Sequence, residues 1–213
     1  MHKKGFTLAE VLITLGIIGV VAAITIPTLV QNYQKVVWVN QLKKSISVLE
    51  NSIHLYLAEE GVSKLSETQE LGKNVSAYQT FNTSQIFNLL KNYIKFIKIS
   101  GSGDDYSNNK SMCKTLSGWT CDYDDVPPGG KAYLQDGSVF IIYVGGNVAY
   151  DYMDIAIDVN GDKRPNQIGR DIFKFVMKDN GTLVPYDIDD CYEDSYGRGC
   201  AKRIIEKGWK MDY

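Results

Sequence analysis

Residues 11–30 read VLITLGIIGVVAAITIPTLV, twenty positions without a charge. At a helical rise of about 1.5 Å per residue the run is about 30 Å long, the thickness of a bilayer's hydrocarbon core. A signal peptide and a buried core helix fit it poorly. The run exceeds a signal h-region and no A-x-A cleavage pattern follows it. His2, Lys3 and Lys4 precede it, so the positive-inside rule leaves the short N-terminus in the cytoplasm and sends everything after the span outward.

A chain of 213 residues holds about one domain plus an appendage. Hydrophobic residues make up 44% and charged ones 23%, which excludes a disordered chain and a polytopic membrane protein. The 23 basic and 25 acidic side chains are unevenly placed: residues 1–99 hold 10 and 6, residues 100–213 hold 13 and 19. The second part therefore carries −6, and an acidic surface without a basic stripe repels phosphate backbones, which speaks against nucleic acid as a partner.

All four cysteines, Cys113, Cys121, Cys191 and Cys200, lie beyond the span, where disulfides form and persist. Four cysteines allow three pairings. The sequence-local one, Cys113–Cys121 with Cys191–Cys200, closes two small loops and is the expectation. Zinc finds no C-x-x-C pair, and His54 is the only histidine outside the leader.

The residues Lys4-Gly5-Phe6-Thr7-Leu8-Ala9-Glu10, set directly before the apolar run, resemble the processing site of type IV prepilins and their pseudopilin relatives. The likeness rests on a short basic leader ending in Gly5, Phe6 as the new terminus and Glu10 four residues later. It implies that a prepilin peptidase cuts between Gly5 and Phe6 on the cytoplasmic side and methylates the new amine of Phe6. It implies also that an inner-membrane assembly platform then polymerises the subunit, with itself and related pilins, into a helical filament. Pro27 falls where many members kink or melt the helix. A carboxylate such as Glu10 costs about 2.5–3.5 kcal/mol at the centre of a membrane helix. The resemblance implies that Glu10 meets this cost by pairing with the Phe6 amine of its own or the next subunit; the alternative is a carboxyl that snorkels or is protonated at the interface.

Beyond the membrane, Val39, Leu42, Ile46, Leu49, Ile53 and Tyr56 recur at spacings of three and four, one apolar helix face. With Gly61 as C-cap, this predicts a helix from about Leu8 to about Glu60, bent or locally melted between Ile24 and Pro27. A second helix is expected from Thr83 or Ser84 to about Lys98, with Ile86, Leu90, Ile94 and Ile97 on one side. Residues 104–130 read as a loop held by the first cysteine pair. Strand-like segments follow at 131–134, 138–144, 153–159, 171–177 and 182–186, the first two joined by the hairpin signal Gln135-Asp136-Gly137. The fold class is α+β: a long N-terminal helix packed on an antiparallel sheet, with disulfide-stapled loops, a layout similar to the pilin head. The divisions are a leader (1–5), a membrane and assembly helix (6–30), its amphipathic continuation (31–60), a globular head (61–186) and a cysteine-bracketed C-terminal region (187–213). By resemblance, that last region is the variable, partner-facing part of a pilin.

The stretch from Asp158 to Asp171 is the most site-like in the head. Asp158, Asn160 and Asp162 alternate as oxygen ligands do in calcium loops, Gly161 permits a tight turn, and Asn166 and Asp171 could complete a shell. A polar β-connection built on Asx turns explains the same residues, and both readings stay open. For the whole chain the leading function is a structural filament subunit, pilin or pseudopilin, held in the membrane as a single-pass protein with its head extracytoplasmic and then in a pilus or pseudopilus. A tip module for adhesion or uptake is the alternative. A membrane-anchored enzyme lacks support, because no G-x-S-x-G, H-E-x-x-H or Walker loop is present.

Overall fold

The computed structural model describes residues 5, 7–70, 83–100, 113–121, 130–143, 152–161 and 163–213. They fall into two compact units, Met1–Val37 and Trp38–Tyr213. Helix α1, Leu8–Glu60, begins in the first and ends in the second.

In the first unit, every side chain of α1 from Leu8 to Val36 is exposed except the half-buried Ala22 and Lys35. The apolar stretch is long enough to cross a membrane, and among the described residues nothing buries it. An apolar helix left bare requires lipid or other helices around it. The expected melting at Ile24–Pro27 does not occur, and α1 stays helical through Pro27. Proline removes a single N–H from the ladder. The turns beside it keep theirs, and Thr25 Oγ1 donates to the Val21 carbonyl at 2.9 Å.

In the second unit the apolar face of α1 is covered: Val39, Leu42, Ser45, Leu49, Ser52, Ile53, Tyr56 and Leu57 are buried. Gly61, at φ +70°, turns the chain out of the helix as its C-cap. A short 3-10 turn follows at Leu65–Glu67. Next comes α2, Thr83–Leu90, which is shorter than the periodicity predicts. Tyr93 and Ile94 both donate their N–H groups to the Leu90 carbonyl, closing the helix, and the chain then forms strand β1, Phe96–Ser100. Ile97, expected on a helix face, is an exposed residue of an edge strand. The Ile and Phe residues of this segment suit a pleated strand as well as a helix, and the free edge of the sheet selects the strand.

The sheet continues through β2 (Gly130–Leu134), β3 (Val139–Tyr143), β4 (Tyr152–Asp158), β5 (Ile172–Lys178) and β6 (Leu183–Pro185). Its order is β1-β2-β3-β4-β5-β6 with each pair antiparallel, so five strands answer the sequence reading and β1 is the addition. A last helix, α3, spans Cys200–Glu206. Phe140, Ile142, Ile155, Ile157, Phe173 and Phe175 form one core with the buried face of α1 and with Ala201 and Ile204 of α3. On the opposite face Val139, Ile141, Ala156 and Ile172 pack with Ile168 and the first cysteine pair. Burial on both faces accounts for the unbroken apolar run of β3, where alternation would mark a sheet with one wet side. Gly181 in the β5–β6 turn is required by proximity: a Cβ there would stand 2.6 Å from Ile53 Cγ2 on α1.

Candidate functional site

Two constellations combine exposure with organised polar chemistry, and they lie in different units.

The first is the start of α1. Thr7 is its N-cap: its backbone N–H and its hydroxyl both donate to Glu10 Oε2, at 2.8 and 2.9 Å, while the Glu10 N–H points back to Thr7 Oγ1 at 3.3 Å. This is a capping box, Thr-x-x-Glu, in which the first turn's orphan donors and the carboxylate satisfy one another. Glu10 also stands at the positive end of the helix dipole, which favours a negative charge. The sequence reading singled out Glu10 and Phe6 and passed over Thr7, although the spacing Thr7-Leu8-Ala9-Glu10 was a legible signal for it. Phe6 lies outside the described residues. Gly5 is exposed, with nothing within 4 Å of where a Cβ would stand. Pro27 makes no contact with this cap, being some twenty positions further along α1.

The second is the stapled face of the head, built from three segments. Cys113 is bonded to Cys121 and Cys191 to Cys200, the sequence-local pairing. The turns they close lie side by side: the Ser117 N–H donates to the Ser195 carbonyl at 2.9 Å and that of Leu116 to the Tyr196 carbonyl at 3.2 Å. The Asp158–Asp171 loop clamps both. Gln167 Nε2 donates to the carbonyls of Thr115 and Leu116, each at 2.9 Å, and Ile168 bonds the Lys114 carbonyl at 2.8 Å. Gly169 meets Cys200 so closely that a Cβ would stand 2.7 Å from its sulfur, and Tyr213 donates its hydroxyl to the Gly169 carbonyl.

Inside the clamp, the carboxylates proposed as metal ligands are engaged by the backbone. Asp158 Oδ1 accepts the N–H groups of Asn160 and Gly161 at 3.1 and 2.8 Å, an Asx turn. Asp171, fully buried, accepts those of Asn166 and Gln167 at 2.8 and 2.6 Å. Burial pushes the Asp171 carboxyl above its ordinary value, against the pull of those N–H groups. The Asn166 carboxamide, oriented by its surroundings, donates to the carbonyls of Gly161 and Lys163 at 2.8 and 2.9 Å. Asn160 Nδ2 reaches the Arg164 carbonyl at 3.4 Å, and its Oδ1 is a buried acceptor without a partner among the described residues. Asp162 lies outside the described residues. Among the described residues no three His, Cys, Asp or Glu side chains gather as a metal would need.

Beneath this face, Lys174 of β5 is buried with its ammonium 5.0 Å from the centre of the Tyr186 ring, and Tyr186 donates its hydroxyl to Asp154 Oδ1 at 2.6 Å. Burial pushes the Asp154 carboxyl up, and the Tyr186 hydroxyl and the Lys174 charge oppose the shift. No sequence signal marks this polar cluster, because a lysine within a strand reads as solvent-facing.

No curated protein and no solved structure matches the chain. One family model does: the prokaryotic N-terminal methylation motif, over residues 1–26. Those are the residues of the leader, the capping box and most of the bare apolar helix, so this N-terminus carries the signature of type IV pilins and pseudopilins.

Proposed function

We propose that this protein is a structural subunit of a type IV pilus-like or type II secretion filament. A prepilin peptidase cuts between Gly5 and Phe6 and methylates the Phe6 amine. The inner-membrane assembly platform then moves the subunit from the bilayer into a helical bundle of N-terminal helices. The reading is carried by one observation: a matched methylation motif runs into a helix whose apolar side chains none of the described residues covers. Lipid tails are as apolar as these side chains, so the exchange of lipid for like helices draws on side-chain packing and on the pairing of Glu10 rather than on the hydrophobic effect. In the membrane the capping box holds Glu10. In the bundle, its carboxylate neutralises a Phe6 amine.

Mass spectrometry of the membrane fraction tests this. A methylated N-terminus at Phe6 is expected in the wild type and an uncut chain in Gly5→Leu. That variant leaves the fold alone, since Gly5 has open space around it. A wild type that keeps its leader would overturn the reading, as would normal cutting of the variant.

A further inference from the structure

We propose that the stapled face of the head is a docking surface for an arginine-bearing segment of another protein. The inference rests on the head alone and stands whether or not the chain polymerises. Three aromatic rings protrude from the two joined turns: Trp119 is 75% exposed, Tyr192 59% and Tyr196 51%. Elsewhere in the described head only Leu55, Ile97, Val184 and Ile188 are large, apolar and exposed, so aromatic surface is concentrated here. The turns are fixed before any partner arrives, each by its disulfide and by the backbone bonds between Ser117 and Ser195 and between Leu116 and Tyr196. Rings on a rigid base offer contact area with little ordering cost.

The charge beside the rings chooses the partner. Between residues 187 and 194 stand Asp187, Asp189, Asp190, Glu193 and Asp194, with no basic side chain among them. Three are engaged: Asp187 and Asp189 hold Lys202, and Asp190 accepts the N–H groups of Arg198 and Gly199. Glu193 and Asp194, next to Tyr192, are exposed and make no ion pair among the described residues. The face already shows what its rings accept, because the Arg198 guanidinium stacks on Tyr196 with its central carbon 4.7 Å from the ring centre. Trp119 and Tyr192 carry no such cation among the described residues. A planar guanidinium can lie on the Trp119 ring or on that of Tyr192, whose neighbours Glu193 and Asp194 offer it carboxylates, a fit that a lysine ammonium makes less well. Anionic partners are repelled by the same carboxylates.

The test uses the full chain in micelles of an uncharged detergent and, as probe, an Arg-Gly repeat peptide. Binding is expected by calorimetry, tightening as salt is lowered and exceeding that of a Lys-Gly repeat. Trp119→Ala, and separately Glu193→Gln with Asp194→Asn, should each weaken it about two- to fivefold. Glu206→Gln, an exposed acid at the far end of α3 from Cys200, should leave it unchanged. Loss of binding without Trp119 while an unchanged melting curve shows the head intact supports the proposal. It is overturned if the Arg-Gly peptide does not bind at low salt, or if the Trp119 and Glu193/Asp194 variants bind as the wild type does. It is equally overturned if a Glu-Gly repeat or a neutral oligosaccharide binds with the same dependence on Trp119.

Discussion

Glu10 makes two kinds of interaction in the proposed cycle, and three substitutions separate them. In the structure its Oε2 takes two donors from Thr7, at 2.8 and 2.9 Å. Replacing Thr7 by Val removes the hydroxyl and keeps the backbone donor, at the usual cost of a lost N-cap, about 0.5–2 kcal/mol. That is at most about thirtyfold in an equilibrium constant. Glu10→Gln keeps an oxygen for Thr7 and deletes only the charge. Glu10→Leu deletes both. If a Phe6 amine sits beside residue 10 in the filament, each subunit of either Glu10 variant carries an uncompensated buried charge, at about 3–5 kcal/mol. Subunit addition then falls by roughly two to nearly four orders of magnitude. Insertion does not suffer, because both changes make the span less polar. The assay compares membrane abundance by immunoblot with filaments sheared from the cell surface. Normal abundance is expected for all three, with filaments lost in Glu10→Gln and Glu10→Leu and merely reduced in Thr7→Val. Abundant filaments built from Glu10→Gln alone would refute the charge argument and leave the cap as the role of Glu10. Loss of filaments in Thr7→Val equal to that in Glu10→Leu would refute it from the other side.

Asp154 gives a pH prediction. Its carboxyl is pushed above the ordinary 3.8, so the stability it contributes is present at low pH and is lost as pH rises through its raised value. Thermal melts should therefore show the wild type gaining on Asp154→Asn as pH falls toward that ordinary value; a constant difference would contradict the burial argument. Removing one staple, as Cys113→Ser with Cys121→Ser, should cost about 2–4 kcal/mol. Hydrogen exchange should quicken at 190–199 as well as 113–121, because the turns share backbone bonds; quickening confined to 113–121 would show that they are not coupled. Calcium on Asp158, Asn160, Asp162, Asn166 and Asp171 is tested by adding the ion at millimolar concentration. A raised melting temperature that disappears in Asp158→Ala with Asp171→Ala would assign a metal to the loop, and no rise leaves the Asx network as its full account.

The local signals in this chain are strong where one short-range term dominates. Twenty uncharged residues can only be covered by lipid or by other helices, and the apolar spacing from Val39 to Tyr56 fixes one face, so α1 was legible from Leu8 to Glu60. The Gln135-Asp136-Gly137 turn and the β-branched runs placed five strands for the same reason. The segment from Ile94 to Ile99 was different. Its residues satisfy either period, and the decision for β1 came from the hydrogen bonds offered by the edge of β2, which lies far away in sequence. Pro27 is a converse case, in which a local breaker is outvoted by the intact turns around it.

Sequence by itself determined the processing motif and the apolar run, which rest on neighbours along the chain, and it made the local cysteine pairing the expectation that the structure then bore out. Only the tertiary structure decided that Ser117 and Ser195 are bonded, that Gln167 grips the first turn, and that Lys174, Tyr186 and Asp154 meet beneath them. It decided likewise that Asp158 and Asp171 serve backbone N–H groups. A carboxylate in a polar loop can accept a hydrogen bond or a metal equally well in one dimension. Which donor reaches it first depends on where the chain returns, and that is a property of the packed sheet.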